Sequence, residues 1–165
     1  MSYKNENMKM IELHENGLDI QFRIRENGVV ELADFSSQEV KKAVMEPKDD
    51  ICYPAVEIHR SGTGSLNMHA YKNNINQSSV DFVYENHELK SQAGGKELEI
   101  VMISPEKLKA VYHMRLFDGV PAVQTWTEII NEGSEDQGLT YVSSFMYQGI
   151  SRGGEKPYYK KTDIY

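Results

Sequence analysis

Lys107-Leu108-Lys109-Ala110-Val111-Tyr112-His113-Met114-Arg115-Leu116-Phe117 is followed, across Asp118-Gly119, by a second run ending Ala122-Val123-Gln124-Thr125-Trp126-Thr127-Glu128-Ile129-Ile130-Asn131. In the first run Leu108, Ala110, Tyr112, Met114 and Leu116 fall on one face. In the second, Val123, Thr125, Thr127 and Ile129 do the same. A period of two marks a strand with one face buried, and Asp-Gly is turn chemistry. These 25 residues from Lys107 to Asn131 therefore predict two long neighbouring strands.

The same pattern extends outward. Val80–Glu85 and Glu97–Ile103 precede the pair and Leu139–Tyr147 follows it, punctuated by Gly94-Gly95, Ser104-Pro105 and Asn131-Glu132-Gly133. Nearer the N-terminus, Leu18, Ile20, Phe22 and Ile24 alternate with Asp19, Gln21, Arg23 and Arg25, between Asn16-Gly17 and Asn27-Gly28. Asn-Gly readily supplies the positive φ angles of a tight hairpin, which predicts a meander of Lys9–His14, Leu18–Arg25 and Val29–Phe35. Tyr53–Arg60 reads as another strand, leading through Ser61-Gly62-Thr63-Gly64 to one containing Leu66, Met68 and Ala70. One short helix is expected within Ser36–Asp50, with Ser36 or Ser37 as cap and Val40, Ala43 and Val44 on one face, stopped at Pro47. About nine or ten closely spaced strands with no second helix make an all-β, antiparallel β-sandwich rather than a βαβ sheet.

The chain has 165 residues, enough for one core and one domain, assigned to residues 1–150. Residues 151–165, with Arg152-Gly153-Gly154-Glu155-Lys156-Pro157, lose the alternation and read as the start of a linker, so more chain is expected beyond Tyr165. A net charge of −7 lacks the basic stripe that a phosphate backbone demands, so no nucleic-acid partner is expected. No apolar run approaches the ~20 residues of a membrane helix. Lys4, Glu6 and Lys9 interrupt the N-terminus where a signal peptide is apolar, and Cys52 is the single cysteine, so a cytoplasmic location is expected.

Candidate chemistry is sparse. Glu57, Glu85, Glu99 and Glu128 lie in predicted strands and read as outward, solvated side chains, although glycoside hydrolysis would need such a pair. The five histidines, His14, His59, His69, His87 and His113, show no metal-ligand spacing. His59 and His69 would face one another only across the Ser61–Gly64 turn. No nucleophile elbow or phosphate loop occurs, so no metal and no cofactor are expected. Sugars are held by stacking on rings beside polar groups, which singles out Trp126, Tyr71, Tyr53 and Tyr158-Tyr159. Trp126 is out of phase with Val123, Thr125 and Ile129, leaving core packing, a domain interface or a sugar platform as its readings.

Tyr53-Pro54-Ala55-Val56-Glu57-Ile58 before a glycine-rich turn, the strand Val111–Phe117, and Trp126-Thr127-Glu128-Ile129-Ile130-Asn131-Glu132-Gly133 together resemble the N-terminal domain of glycoside hydrolase family 36, the α-galactosidases. Ile129 to Gly133 fits that domain's late strand-closing segment, and Ser143-Ser144 the serine of the strand after it. The resemblance spans roughly Gly17 to Tyr147. It implies a galactose-mutarotase-like β-supersandwich ahead of a catalytic (β/α) barrel, whose two aspartates lie beyond Tyr165. It assigns no catalytic residue here and makes uncertain whether this chain is itself an enzyme. The implied partners are the downstream barrel, a carbohydrate bound through it, and further subunits of a homo-oligomer to which a loop is lent. Asp50-Ile51-Cys52-Tyr53 replaces the family's Gly-Asp-Phe-Arg, and its early Tyr-Trp-Gly is missing near Leu32, so another α-linked sugar fits equally. A free-standing carbohydrate-binding sandwich, using Trp126 or Tyr71 beside Asn67, Asn73 or Asn74, is the alternative.

Overall fold

The computed structural model describes residues 9–37, 53–64 and 77–147. Strands β1 (Lys9–Glu15), β2 (Leu18–Ile24) and β3 (Val30–Ser37) form an antiparallel meander. Asn16 (φ 53°) and Gly17 (φ 84°) both take positive φ between β1 and β2, the hairpin geometry expected of Asn-Gly. A second antiparallel sheet runs β5 (Val83–Gln92), β6 (Gly95–Ile103), β7 (Leu108–Phe117) and β8 (Val120–Asn131), each strand beside the next. Strand β4 (Ile58–Arg60) pairs with β9 (Leu139–Val142) in a third, two-stranded unit.

The two larger sheets close on one core. Ile20, Phe22 and Ile24 of the first face Leu98, Ile100, Tyr112, Met114 and Leu116 of the second within one buried cluster. Phe22 and Tyr112 meet edge to face at 5.7 Å, and both are almost wholly buried. Burying each such ring contributes about 1.5–3 kcal/mol. The architecture is an all-β antiparallel sandwich.

Local differences from the sequence reading have clear causes. Ser36 and Ser37 end β3 instead of capping a helix, and residues 38–50 of that expected helix lie outside the described residues, as do Leu66, Met68 and Ala70. The helix that is described, α1 (Gln77–Asp81), overlaps the predicted strand at Val80 and Asp81. Ser78 and Ser79 accept from the backbone N–H groups of Arg60 and Ile58 (3.2 and 2.8 Å), so α1 completes the hydrogen bonding of β4 with side chains. Of the strand expected over Tyr53–Arg60, only the last three residues pair. Pro54 has no N–H to give a ladder, and Ala55 instead donates to the carbonyl of Val30 at 2.7 Å. Strand β9 likewise stops at Val142, short of Tyr147.

Candidate functional site

Alternation sends one face of β6 and β7 into the core and leaves the other for polar residues. On that outer face Glu99 of β6, His113 of β7 and Trp126 of β8 are direct cross-strand partners, forming one row. Glu97, Arg115 and Gln124 form the next row. Direct partners on one face stand only about 4.5–5.5 Å apart at Cβ, so their side chains meet. The imidazole of His113 stacks on the indole of Trp126 with centroids 4.6 Å apart and planes 5° from parallel. His113 is 6% exposed although it belongs to the outer face, because its neighbours cover it.

Carboxylates surround the stacked ring. Nδ1 of His113 lies 3.0 Å from Glu97 and 3.9 Å from Glu99, and Nε2 lies 3.8 Å from Glu128. The side-chain amide of Gln92 donates to Glu97 at 2.7 Å, and the ammonium of Lys90 to Glu99 at 2.5 Å. That last bond holds the Lys90 ammonium above its ordinary lysine value, opposed by desolvation and helped by the charges of Glu99, Glu88 and Glu97. Glu97, Glu99 and His113 each offer a ligand atom within 4.8 Å of the others, a spacing a metal ion could use. Lys90 already engages Glu99, one of the two carboxylates, and the amide of Gln92 takes a lone pair of Glu97. Both carboxylates are thus engaged in hydrogen bonds, while the buried Nε2 of His113 has no hydrogen-bond partner among the described residues.

A second polar group sits on β4. His59 Nε2 lies 2.9 Å from the carboxylate of Glu57, and its ring tilts against Tyr141 at 5.0 Å. Glu57 is buried, correcting the solvated reading of that residue, and its N–H donates to Ser143 Oγ at 2.7 Å. Glu85 and Glu128 are exposed as expected, and Glu99 is half-buried. Arg60, also buried, reaches both Asp81 (3.1 Å) and Glu106 (2.7 Å), tying β4 to α1 and to the β6–β7 turn. Burial works to raise the Glu106 carboxyl, but the hydrogen bonds from Arg60, its own backbone and Ser104 hold it below the ordinary value.

Among the predicted site residues, Trp126 stands on the outer sheet face and not in the core, and His59 belongs to the Glu57–Tyr141 group. Tyr71, His69, Asn67, Asn73, Asn74 and Tyr158-Tyr159 lie outside the described residues, so the His59–His69 pairing does too. Sequence reasoning missed Glu97, Glu99 and His113 as a group. The signal was the strand register, which alone brings residues 14 and 13 apart in sequence into one row.

No family model and no curated protein matches this chain. Among solved structures it is similar to α-galactosidase AgaA of glycoside hydrolase family 36 from Geobacillus stearothermophilus. The form carrying two substitutions, in complex with raffinose, matches with a TM-score of 0.50 at 12% identity over 76% of this chain. A second structure of AgaA matches with a TM-score of 0.48, also at 12% identity, over 77% of this chain. The chain spans 22% and 23% of those longer proteins. At such identity the likeness is one of fold.

Proposed function

We propose that this chain is a β-sandwich domain of an α-galactosidase-like glycoside hydrolase, a non-catalytic support for a (β/α) barrel in which the hydrolysis takes place. The observation that carries the reading is the likeness over 76% of this chain to 22% of AgaA. A domain-sized match inside a much longer enzyme is what an accessory sandwich would give, although fold by itself does not assign function. The internal state of the outer-face carboxylates agrees: they are engaged by Lys90, Gln92 and His113 on an open sheet, where a glycosidase needs two carboxyls flanking a bound sugar. Leu139 (40% exposed), Tyr141 (51%) and Phe145 (43%) would supply the apolar surface for the barrel.

The test is to read the gene past the codon for Tyr165 and to assay the 165-residue chain with a chromogenic α-galactoside. The expected result is a frame that continues into strand–helix alternation with aspartates at strand ends, and no turnover by the chain alone. A stop codon at once, or turnover by the chain, overturns the proposal. A free-standing sugar-binding sandwich is the second reading, favoured by the exposed ring of Tyr141 beside the Glu57–His59 pair. Calorimetric titration with galactosides separates the two, since only the second expects millimolar or tighter binding by this chain.

A further inference from the structure

Strand register brings together on the outer sheet face what spacing in the sequence leaves apart: one imidazole and two carboxylates. Glu97 and Glu99 are two residues apart on β6, so they share that face, and His113 of β7 is the direct partner of Glu99. Glu97 is 7% exposed and His113 6%, so two of the three are withdrawn from solvent. Gln92 donates to Oε2 of Glu97, and Lys90 to Oε2 of Glu99. In both residues the other oxygen, Oε1, faces Nδ1 of His113, at 3.0 and 3.9 Å. Ligating carboxylates are steadied in this way by hydrogen bonds to the oxygen that does not bind the metal. Two ligands of one ion, with bonds of about 2.0–2.2 Å, stand about 3–3.5 Å apart, so these atoms need only small adjustments. Arg115, the cross-strand partner of Glu97, sends its guanidinium to the Ala93 carbonyl and over the Phe117 ring.

His113 carries a second, independent sign of a ligand. A carboxylate only accepts, so Nδ1 is the donor to Glu97, and Nε2 is left a buried nitrogen with no hydrogen-bond partner among the described residues. Buried polar atoms are seldom left in that state. We propose that Glu97, Glu99 and His113 bind a divalent first-row transition ion such as zinc, through one oxygen of each carboxylate and Nδ1. With the ion on Nδ1 the ring proton moves to Nε2, which lies 3.8 Å from Oε2 of Glu128. Glu128 is exposed and needs to swing only about 1 Å closer to accept that proton. A carboxylate behind a ligating histidine is the usual outer support of such a site. One imidazole with two carboxylates suits zinc or manganese; calcium takes an all-oxygen shell and copper(I) prefers sulfur. The ion ties β6 to β7 on the outer face. This inference is independent of the hydrolase reading.

The test is calorimetric titration of the whole 165-residue chain with zinc, beside a copper(II) titration read by Trp126 emission. One zinc site per chain is expected. Copper(II) should quench the indole at the same stoichiometry, because the imidazole that holds the ion is stacked on it at 4.6 Å. Glu99→Gln keeps the shape and removes a charged ligand, and should weaken zinc binding at least about tenfold; its melting curve in metal-free buffer checks that it folds. Nitrogen NMR of the histidine rings needs no variant: on adding zinc, Nε2 of His113 should become the protonated nitrogen and Nδ1 the metal-bound one. Absence of binding up to millimolar zinc overturns the proposal. Binding that leaves the His113 ring nitrogens unmoved, or that a folded Glu99→Gln chain retains at equal affinity, overturns it too and gives the ion to another histidine.

Discussion

Asn16 holds Gly119 across the two large sheets: its Oδ1 accepts from the Gly119 N–H at 3.0 Å, while its Nδ2 donates to the Phe117 carbonyl at 2.9 Å. One side chain in the β1–β2 turn thus clasps the β7–β8 turn, 103 residues away. Asn16 also stands at φ 53°, where asparagine is tolerated better than most residues. Asn16→Ala should therefore cost about 2–4 kcal/mol in urea unfolding, two hydrogen bonds and a left-handed alanine together. Asn16→Asp keeps the acceptor and loses the donor, and should cost about 1 kcal/mol.

The Tyr112 hydroxyl is pushed well above the ordinary tyrosine value of 10.0 by burial, against a smaller opposing hydrogen bond with Thr125. The folded chain holds that proton after the unfolded chain has lost it. The contribution to stability is whole below about pH 10 and declines as pH rises above it, with a limiting slope of about 1.4 kcal/mol per pH unit. Denaturation midpoints of the wild type and Tyr112→Phe, measured from pH 8 to 11, should show a shallower alkaline decline in the variant. Parallel declines would contradict the burial of that hydroxyl.

Gly94 and Gly95 adjoin in one turn but differ in what an added methyl group meets. A Cβ on Gly95 would lie 1.9 Å from the Leu116 carbonyl oxygen, which is fixed backbone, while one on Gly94 meets open space. At Gly94 the difficulty is conformational, φ +79°. Gly94→Ala should cost about 1–2 kcal/mol. Gly95→Ala forces β6 and β7 apart and should cost more than about 3 kcal/mol, read from thermal or urea unfolding.

Trp126 is the chain's one tryptophan, so its emission reports on the outer-face row without ambiguity. His113→Ala removes the stacked ring and a hydrogen-bonding partner of Glu97. Unfolding free energy should fall by about 2–4 kcal/mol. The emission of the folded variant should shift to the red as water reaches the indole. An unshifted spectrum would mean that the stack is not what shelters Trp126.

Alternation makes β1, β2, β6, β7 and β8 legible in the sequence, since each has a wet face and a dry one. Strand β5 escapes beyond Glu85 because Asn86 to Gln92 has Leu89 as its one apolar residue, too few to show alternation, and the strand pairs only on one side. Helix α1 escapes because five residues are too few to display a period of 3.6. The outer-face row is hidden for a more specific reason. Counting back from the Phe117–Val120 pair with unbroken register would set His113 against Gln124. The irregularity between Leu116 and Phe117 moves the ladder by two, and His113 meets Trp126 instead. A bulge of this kind leaves no periodic trace in the sequence, so the partners of Glu99 and His113 could not be read from alternation alone.

The edge-to-face contact of Phe22 with Tyr112 also sets a timetable for synthesis. The meander ends at Ser37, and Tyr112 is added 75 residues later (112 minus 37). At about 5–20 residues per second this is a delay of roughly 4–15 s. For an interval of that length Ile20 and Phe22 wait for the sheet that will cover them. Three strands with a bare greasy face are long-lived on that scale, so the nascent chain offers a ready target for chaperones that bind emerging polypeptides before its own second sheet arrives.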